Sequence, residues 1–361
     1  MQLRIGVIGG WAVADTEHGR LTALCDINPD VRKRTKERRP DVHVYEDYHD
    51  LAADDEVDLV YIATPNWVHA EQAVACLEGG KHVFAEKPMV VRRDEAAPLL
   101  EAEKKSGRTL TVDFEMRFSY ALGRRIPEII GSGEIGRLVG VNVDHYRGAW
   151  IEEGNGIWRT KPEKSGGLFF MEICHAVDYL RFLLGEVAEV QSVKMENVLS
   201  HYRIPDNVHT HLLFESGAVG SITSSHTRSA NSRREYEDWE KAGHHDQLSV
   251  FGTEGALVFD VWKRRIMVMR HEEYPPGTGA KRVHLVRSED YSNLSMHELS
   301  HDMSGYLQDF VRRMATGEPP VQSGEDAWRS HAVCLACEES ALAHGFPRLA
   351  VDYSPLRSRK G

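Results

Sequence analysis

Short runs of apolar and β-branched residues alternate with helix-like patterns over roughly the first third of the chain. These runs are Leu3–Ile8, Leu21–Cys25, Leu59–Ala63, His82–Ala85 and Thr109–Val112. Strands that are apolar throughout and are separated by helical segments are typical of a parallel sheet covered by crossover helices. The pattern therefore predicts an α/β fold that opens with a doubly wound, nucleotide-binding sheet.

The pattern changes after about residue 120, where longer alternating runs are joined by turn signals at Glu215–Gly217 and Gly252–Gly255. These features predict an open, largely antiparallel sheet. A strongly apolar helical pattern covers about Gly167–Leu184, and a later helix is expected near Met303–Met314. Because 361 residues exceed the usual size of a single hydrophobic core, we expect two domains, one over residues 1–120 and an α/β domain over residues 121–361.

Composition narrows the class of protein. Hydrophobic residues make up 41% and charged residues 27% of the chain, as in ordinary globular proteins. The net charge of −11 disfavours nonspecific binding to nucleic acid or anionic membranes, which need a positive surface. The sequence shows neither a membrane-spanning apolar stretch nor a signal-peptide pattern, so we expect a cytoplasmic protein.

Five cysteines in such a chain indicate free thiols rather than a disulfide framework. Cys334 and Cys337 form a single C-x-x-C inside a helical, Ala-rich segment. Helix packing therefore explains this pair better than a metal site does.

Ligands of doubly wound sheets bind at the carboxyl ends of the strands, so the residues after the first strand are candidates. Gly9 and Ala14 fit the first and third places of the Gly-x-Gly-x-x-Gly/Ala fingerprint. Trp11 stands where the second glycine would let the backbone approach a pyrophosphate. The indole either blocks that approach or moves the phosphate toward Gly10, and we expect Gly9, Gly10 and Trp11 to contact the cofactor.

Asp26 ends the second strand, where a carboxylate can accept a hydrogen bond from an adenine-ribose 2′-hydroxyl and favour NAD over NADP. A turn role for Asp26 is the alternative. Only 17 positions separate Gly9 from Asp26, which leaves room for a helix of about two turns. Six basic residues between Arg32 and Arg39 indicate either a solvated helix face or a site for the extra phosphate of NADP.

Two polar clusters follow the next strands. Thr64, Asn66 and His69 come after the third long strand, and Glu86–Pro88 comes after the fourth. Either cluster alone is more often a turn than a site. Because both occur at successive strand ends, we expect Thr64, Asn66, His69, Glu86 and Lys87 to contact the cofactor.

These motifs resemble the family of glucose-fructose oxidoreductase, inositol dehydrogenase and the MocA-type proteins. The matching segments are Thr64–Asn66 with His69, Glu86–Pro88, Arg117–Phe118, Gly166–Gly167, His175–Asp178, Gly252–Gly255 and Phe310–Pro320. The resemblance spans roughly residues 2–350. It implies an N-terminal Rossmann domain that binds NAD or NADP, and a C-terminal α/β domain whose open sheet holds a sugar or polyol and often builds homo-oligomers such as dimers or tetramers.

The resemblance also implies the catalytic residues. In such proteins the residue at His175 takes the proton from a substrate hydroxyl while hydride leaves for the nicotinamide, and the residue at Lys87 holds the same oxygen. Both residue types suit the chemistry, because alcohol oxidation needs a base poised near neutrality and a cation beside the oxygen. A histidine satisfied by hydrogen bonds inside a packed helix is the alternative for His175.

The segment before His175 departs from the family pattern. The family commonly places Asp four residues before the His, where this chain has Met171, and Glu172 lies three residues before it. Since residues i and i+3 share a helix face, Glu172 is expected to contact the substrate or to orient His175, with an outward position as the alternative.

Further candidates for substrate binding flank this helix or belong to the matching motifs. They are Arg117, Tyr146, Trp158, Arg159 and Asp178. Aromatic faces and forked donors suit hydroxyl-rich rings. Simple core or surface roles are the alternative for Tyr146, Trp158 and Arg159.

The segment His297–His301 matches H-E-x-x-H, a pattern of zinc metalloproteases in which two histidines share a helix face. With 19 histidines in the chain the rate of accidental matches is raised, and we predict no metal there. His209 with His211, and His244 with His245, are further metal candidates, against solvated strand or loop positions.

Together these patterns predict an NAD-linked oxidoreductase acting on a secondary hydroxyl or keto group of a sugar, cyclitol or glycoside, without nucleic acid or membrane partners. Two alternatives stay open. One is a non-redox family member whose altered glycine loop impairs dinucleotide binding. The other is a redox-assisted, glycoside-cleaving enzyme with tightly held NAD.

Overall fold

Two sheets organise the chain in the computed structural model, which describes residues 2–10, 15–150, 158–229 and 245–355. Within these residues a parallel sheet of six strands has the order β3-β2-β1-β4-β5-β6. A second sheet of nine described strands has the order β14-β13-β12-β11-β7-β10-β9-β8-β15. The predicted fold class, a doubly wound sheet followed by an open and largely antiparallel one, is confirmed.

The six-stranded sheet contains all five strands that the apolar runs predict. Its strands are β1 Leu3–Ile8, β2 Gly19–Cys25, β3 His43–Tyr45, β4 Leu59–Ile62, β5 His82–Ala85 and β6 Leu110–Val112. The strand order reverses between β1 and β4, and a crevice forms beyond the strand ends at such a reversal. The loops after β1, β4 and β5 therefore meet along one edge.

Helices around this sheet are α1 Pro29–Arg38, α2 Tyr48–Ala53, α3 His69–Glu78 and α4 Ala96–Ser106. The segment between β1 and β2, for which a helix of at most about two turns is expected, is described only at residues 9–10 and 15–18. These residues contain no helix, and β2 begins at Gly19. Trp11 and Ala14 lie outside the described residues.

The nine-stranded sheet contains the two predicted hairpins, with turns at residues 215–218 and 253–254. Its strands are β7 Leu138–Gly148, β8 Val187–Lys194, β9 Asn207–Phe214, β10 Val219–Ser229, β11 His245–Gly252, β12 Gly255–Asp260, β13 Arg265–Glu273, β14 Lys281–Asp290 and β15 Leu349–Ala350. All its described pairings are antiparallel except that of β7 with β10.

The later helices are α5 Ile126–Gly131, α6 Pro162–Ser165, α7 Cys174–Leu184, α8 Met296–Ser300, α9 Met303–Thr316 and α10 Gly324–Leu342. A wide helical turn, Phe169–Ile173, leads into α7. Helix α9 packs on the six-stranded sheet, where Tyr306 and Phe310 contact Phe84. The late helix thus returns to the first sheet, and the division of the chain at residue 120 stays a prediction.

All five cysteines are free and buried, and Cys334 and Cys337 lie inside α10 as the packing interpretation expects. In the part of the chain that the structure describes, we find no helix long and apolar enough to span a membrane.

Candidate active site

A cavity of about 230 Å³ lies between helix α7, with the wide turn before it, and the inner face of strands β7, β10 and β11. Lys87, Glu172 and His175, the three residues predicted as catalytic, all lie on its wall. The structure therefore brings together a strand-end loop of the first sheet and a helix of the second half of the chain.

Lys87 reaches the cavity from the loop after β5. Its Nζ donates a hydrogen bond to the carbonyl oxygen of Met171 at 2.7 Å. Burial alone would lower the pKa of Lys87, but Cys174 and the carboxylates of Glu172, Glu86 and Glu115 outweigh it and raise the pKa. The ammonium is therefore charged and fixed beside the turn that precedes α7.

His175 lies in the first turn of α7. Its Nδ1 is 3.3 Å from Oε2 of Glu115, and its ring meets the ring of Phe114 edge-on at 5.9 Å between centroids. Burial, with the nearby Lys87 and His301, holds the pKa of His175 well below its ordinary value. The imidazole is therefore neutral at physiological pH and able to accept a proton.

Glu172 faces the sheet rather than His175. Its Oε1 lies 2.8 Å from Nε2 of His145 and 3.8 Å from Nε of Arg147. Burial opposes ionisation of Glu172, but the hydrogen bond and charge of His145 and the charge of Lys87 bring its pKa well below the ordinary value. The residue beside His175 is thus Glu115, which the sequence reasoning did not consider, and not Glu172.

A charged wall of three residues, His145, Arg147 and Asp246, continues from Glu172 along the sheet. Nδ1 of His145 lies 2.7 Å from Oδ1 of Asp246, and a guanidinium nitrogen of Arg147 lies 2.8 Å from Oδ2. Asp246 stands directly opposite His145 in the β7–β11 pairing. Burial and Arg147 lower the pKa of His145, but Asp246 and Glu172 outweigh them and raise it.

Sequence reasoning missed this charged wall and selected Tyr146 instead. In strand β7, residues 145 and 147 face the cavity, so residue 146 faces the opposite side of the sheet. There Tyr146 stacks on His245 and lies under the guanidinium of Arg228. Tyr146 is therefore not on the cavity wall, and the alternation of β7 shows only that His145 and Arg147 share a face.

Arg117 and Asp178 also differ from the expectation of substrate contacts. The guanidinium of Arg117 binds both carboxylate oxygens of Asp178 at 2.6 Å, and Asp178 accepts further hydrogen bonds from Gln322 and Ser330. Neither residue lines the cavity. This buried ion pair ties the segment after β6 to α7 and α10, so its position indicates a structural role.

Trp158 and Arg159 are not among the residues that line the cavity. Trp158 meets Trp67 edge-on at 5.3 Å, and the guanidinium of Arg159 lies over the Trp158 ring. The segment just before Trp158, residues 151–157, lies outside the described residues. These two side chains sit beside the loop after β4 rather than at Lys87 and His175.

The loops after β4 and β5 are held to each other by His69. Its two ring nitrogens lie 2.8 Å from the carbonyl oxygen of Pro88 and 2.6 Å from that of Thr64. The side-chain amide of Asn66 donates to the carbonyl oxygen of Ser165. The side chains of His69 and Asn66 are thus engaged in hydrogen bonds within the protein.

The side chains of Thr64 and Glu86 also take part in hydrogen bonds within the protein. The hydroxyl of Thr64 donates to Gln72, and the hydroxyl of Tyr61 donates to Glu86. These contacts fix the two strand ends that border the crevice.

The loop after β1 is described at its start, where Gly9 and Gly10 stand. Gly9 has φ +105°, and a Cβ there would come within 2.6 Å of the carbonyl oxygen of Ala63, so only glycine is accommodated. Beside Gly10 the space is open toward Asp26, whose Oδ2 lies 3.9 Å from a Cβ built at Gly10. The other carboxylate oxygen of Asp26 accepts the backbone N–H of Asn28, so the turn interpretation holds as well.

The basic segment forms α1, in which no residue is buried. Arg32 donates to the carbonyl oxygen of Asp26 and pairs with Glu46, and Arg39 pairs with Asp41. The helix thus faces solvent in part, and a site for the extra phosphate of NADP stays a prediction.

The H-E-x-x-H segment does not form a zinc-protease arrangement. His297 and Glu298 are exposed, and the Glu298 carboxylate accepts hydrogen bonds from Ser295 at the start of α8. Helix α8 ends at Ser300, and His301 turns toward the cavity. The two histidines therefore do not converge.

Among the described residues no group of three or more His, Cys, Asp or Glu side chains is arranged to hold a metal. His209 and His211 are exposed on strand β9. His244 lies outside the described residues.

Comparisons with known proteins agree with this geometry. Residues 3–114 match the oxidoreductase family with an NAD-binding Rossmann fold, and residues 124–258 match the GFO/IDH/MocA C-terminal domain. The fold and site thus define an NAD-dependent oxidoreductase of the dehydrogenase type. The chain belongs to the GFO/IDH/MocA oxidoreductase family, as the motifs predict.

Named relatives act on sugars and cyclitols. The chain is 27% identical over 341 residues to myo-inositol 2-dehydrogenase of Thermotoga maritima, covering 93% of each chain. It is 28% identical over 294 residues to 1,5-anhydro-D-fructose reductase of Ensifer adhaerens, covering 81% of this chain and 80% of that one. Levoglucosan dehydrogenase in complex with NADH and L-sorbose shares the fold, with a TM-score of 0.77, 21% identity, and coverage of 98% and 100%.

Proposed function

We propose that this protein oxidises a secondary hydroxyl of a sugar, cyclitol or glycoside with NAD, or reduces the corresponding ketone, at the cavity wall formed by Lys87 and His175. One observation carries the proposal. A buried, charged amine and a buried, neutral imidazole from distant parts of the chain line a single cavity beside the nucleotide crevice. Those are the two groups that alcohol oxidation requires.

His175 is proposed as the base. Its lowered pKa keeps the imidazole neutral, so it can take the hydroxyl proton as the carbon is oxidised. The ammonium of Lys87 stabilises the negative charge that develops on the substrate oxygen, and its hydrogen bond to Met171 holds it in place. Bound NAD would supply the two-electron acceptor for this carbon.

The crevice residues are proposed to hold the cofactor. The backbone at Gly9 and Gly10 would meet the pyrophosphate, and the Asp26 carboxylate would accept the adenine-ribose hydroxyl, which favours NAD over NADP. The strand-end loops at Thr64–Asn66 and Glu86–Lys87 would contact the rest of the molecule. Trp11 is proposed to lie close to the cofactor as well.

The cavity favours a ring with one polar and one less polar face. Glu172 and the charged wall offer an acceptor and donors for hydroxyl groups. The remaining lining is largely apolar, with side chains such as Met116, Leu122, Val143, Leu248 and Phe259. Polyol rings, which carry C–H groups between their hydroxyls, match such a surface, and the named relatives act on compounds of this class.

The test is a substrate panel with purified protein. Inositols, hexoses, anhydrosugars and alkyl glycosides are incubated with NAD or NADP, and the nicotinamide absorbance is followed. Net reduction of NAD with one ring class is the expected result. Glycoside cleavage without net NADH formation would instead favour the redox-assisted alternative.

Cofactor binding is measured separately by calorimetry. No binding of NAD(H) or NADP(H) at millimolar concentration, in protein free of co-purified nucleotide, would overturn the proposal in favour of the non-redox alternative. Binding through the altered glycine loop should quench tryptophan emission, and Trp11→Phe should remove a large part of that change.

We further propose that the protein is a cytoplasmic homo-oligomer. The outer face of the nine-stranded sheet exposes Val219 and Phe251, which flank Gly140 on neighbouring strands. Five free thiols suit a reducing compartment. Light scattering of the purified protein tests the oligomer, with a monomer at micromolar concentration as the contrary result, and cell fractionation tests the location.

A further inference from the structure

We propose that Glu115 is the positioning residue of His175: its carboxylate accepts the Nδ1–H of the imidazole and so presents the lone pair of Nε2 to the substrate. The inference rests on the proposed function, in which His175 is the base. It adds a residue outside the motifs that pointed to Lys87 and His175.

The geometry of the pair carries the proposal. Oε2 of Glu115 and Nδ1 of His175 lie 3.3 Å apart, with side chains 6% and 12% exposed. Both atoms are buried, and neither has a hydrogen-bond partner in the part of the chain that the structure describes. The two atoms are within reach of each other, but no hydrogen bond joins them in this structure. Such bonds often tighten only when substrate is bound.

Backbone hydrogen bonds fix the position of Glu115, and a ring contact fixes that of His175. Glu115 begins a short helical turn directly after β6, and its carbonyl oxygen accepts the N–H groups of Phe118 and Ser119. Phe114 supports the His175 ring edge-on. Since Nδ1 faces Glu115, Nε2 lies on the opposite side of the ring.

A carboxylate at Nδ1 has two effects on a histidine base. It selects the tautomer with hydrogen on Nδ1, which leaves Nε2 free to accept a proton. It also stabilises the imidazolium that forms when the proton arrives, as in Asp–His pairs of hydrolases. Without Glu115, no carboxylate would select the Nδ1–H tautomer of His175 or stabilise the positive charge of its protonated ring.

His301 lies on the other side of the same carboxyl group. Its Nε2 is 3.9 Å from Oε1 of Glu115, and its Nδ1 is 2.9 Å from the hydroxyl of Ser300. Glu115 therefore stands between two imidazoles. This placement explains why His301, the last residue of the H-E-x-x-H match, turns inward.

Other charged groups surround the pair, and any pH dependence includes them. Those that act on Glu115 or His175 are Lys87, Glu86, Asp178, Asp113, Glu172, His145 and His301. Burial raises the pKa of Glu115 to about 8. The carboxylate that the proposal requires should therefore form as pH rises through about 8, and the rate of oxidation should rise with it.

Asp113 provides a matched control. It is a second buried carboxyl on the same segment, two residues from Glu115, and one of its oxygens is buried without a partner. No hydrogen bond or ion pair joins it to His175 among the described residues. Asp113→Asn therefore tests the loss of a neighbouring buried carboxyl group, without loss of the contact to His175.

The first experiment reads the tautomer directly by nitrogen-15 NMR of histidine-labelled, substrate-free protein at pH 9, with the His175 signals assigned from His175→Gln. The Nδ1–H form is expected in the parent protein. The Nε2–H form would overturn the proposal, whether or not any substrate is turned over. This measurement stands by itself if a Glu115 variant does not fold.

The second experiment compares Glu115→Gln with Asp113→Asn. Glu115→Gln should lower kcat by about 10²-fold, within the range for a general base, and leave KM nearly unchanged. It should also lose the rise in rate near pH 8, which Glu115→Asp should partly restore. Asp113→Asn should keep kcat near the parental value and should keep a rise in rate with pH. A parental kcat and pH profile in folded Glu115→Gln would overturn the proposal.

Discussion

The cavity has two sides that differ in how their residues are fixed. On the nucleotide side, Lys87 and Glu86 sit in a strand-end loop whose contacts are largely to backbone atoms and near neighbours, such as Pro88 with His69. On the sheet side, His145, Arg147 and Asp246 are held by ion pairs between segments that lie far apart in the chain.

The comparison shows why one side could be found from local motifs and the other could not. A strand-end loop carries its chemistry in consecutive residues, because backbone geometry places them at the crevice. The charged wall depends on which residues face one another across paired strands. The following predictions test whether the two sides also differ in function, with the loop and α7 acting in chemistry and the charged wall in substrate binding and stability.

The largest effect on turnover is expected from substitutions of Lys87 and His175. Lys87→Ala and His175→Ala should each lower kcat by about 10²- to 10⁴-fold while the protein stays folded, since each removes a group that acts on the proton or the charge. Steady-state kinetics with circular dichroism checks this. Lys81→Met, at the other end of β5, is the control and should reduce stability but not turnover. Near-parental rates in either Ala variant would refute the assignment.

The next effect is expected on the charged wall. Asp246→Asn removes the carboxylate that pairs with both Arg147 and His145 and leaves Glu172 as their other acidic partner. Breaking a buried ion pair typically destabilises a protein by about 3 to 5 kcal/mol. We expect a similar loss of unfolding free energy in urea, together with a raised KM and a smaller change in kcat. An unchanged unfolding free energy and an unchanged KM would show that the charged wall contributes neither to stability nor to substrate binding.

The contribution of His145 to stability should depend on pH. Its pKa is raised in the folded protein above the ordinary value of 6.5. The stability that protonated His145 contributes is therefore fully present below pH 6.5 and is lost as pH rises through the higher folded value. The Tm difference between the parent and His145→Gln should be largest near pH 6 and shrink above it. A difference that grows with pH would contradict the assigned direction.

The smallest effect is expected at the exposed end of the H-E-x-x-H match. His297→Ala and Glu298→Ala should leave turnover near the parental value, because neither side chain reaches the cavity. His301→Ala, in the same segment, should lower kcat since its ring lines the cavity. Metal analysis completes the comparison: a stoichiometric zinc ion that disappears with activity in His297→Ala would favour the hydrolase interpretation.

The sequence by itself determined the succession of strands and helices, because local hydrophobic periodicity and turn residues specify these elements. It also determined the strand-end loops, since the carboxyl end of each parallel strand is fixed once the strand is known. Lys87 and His175 were selected by motif, and the structure places both on one cavity wall.

Only the tertiary structure decided which face of β7 is the inner one. The period of two shows that His145 and Arg147 share a face, but both faces of this strand carry polar side chains, so the pattern does not say which face turns inward. The pairing with β11 puts His145 opposite Asp246 and Tyr146 opposite His245.

The tertiary structure likewise decided which ionic groups meet. Arg117 was expected at the substrate and instead binds Asp178, while Glu115, two residues earlier, lies beside His175. These partners are about 60 residues apart in sequence. Electrostatic pairing depends on distance in space and on burial, and neither quantity is set by residue type or spacing along the chain.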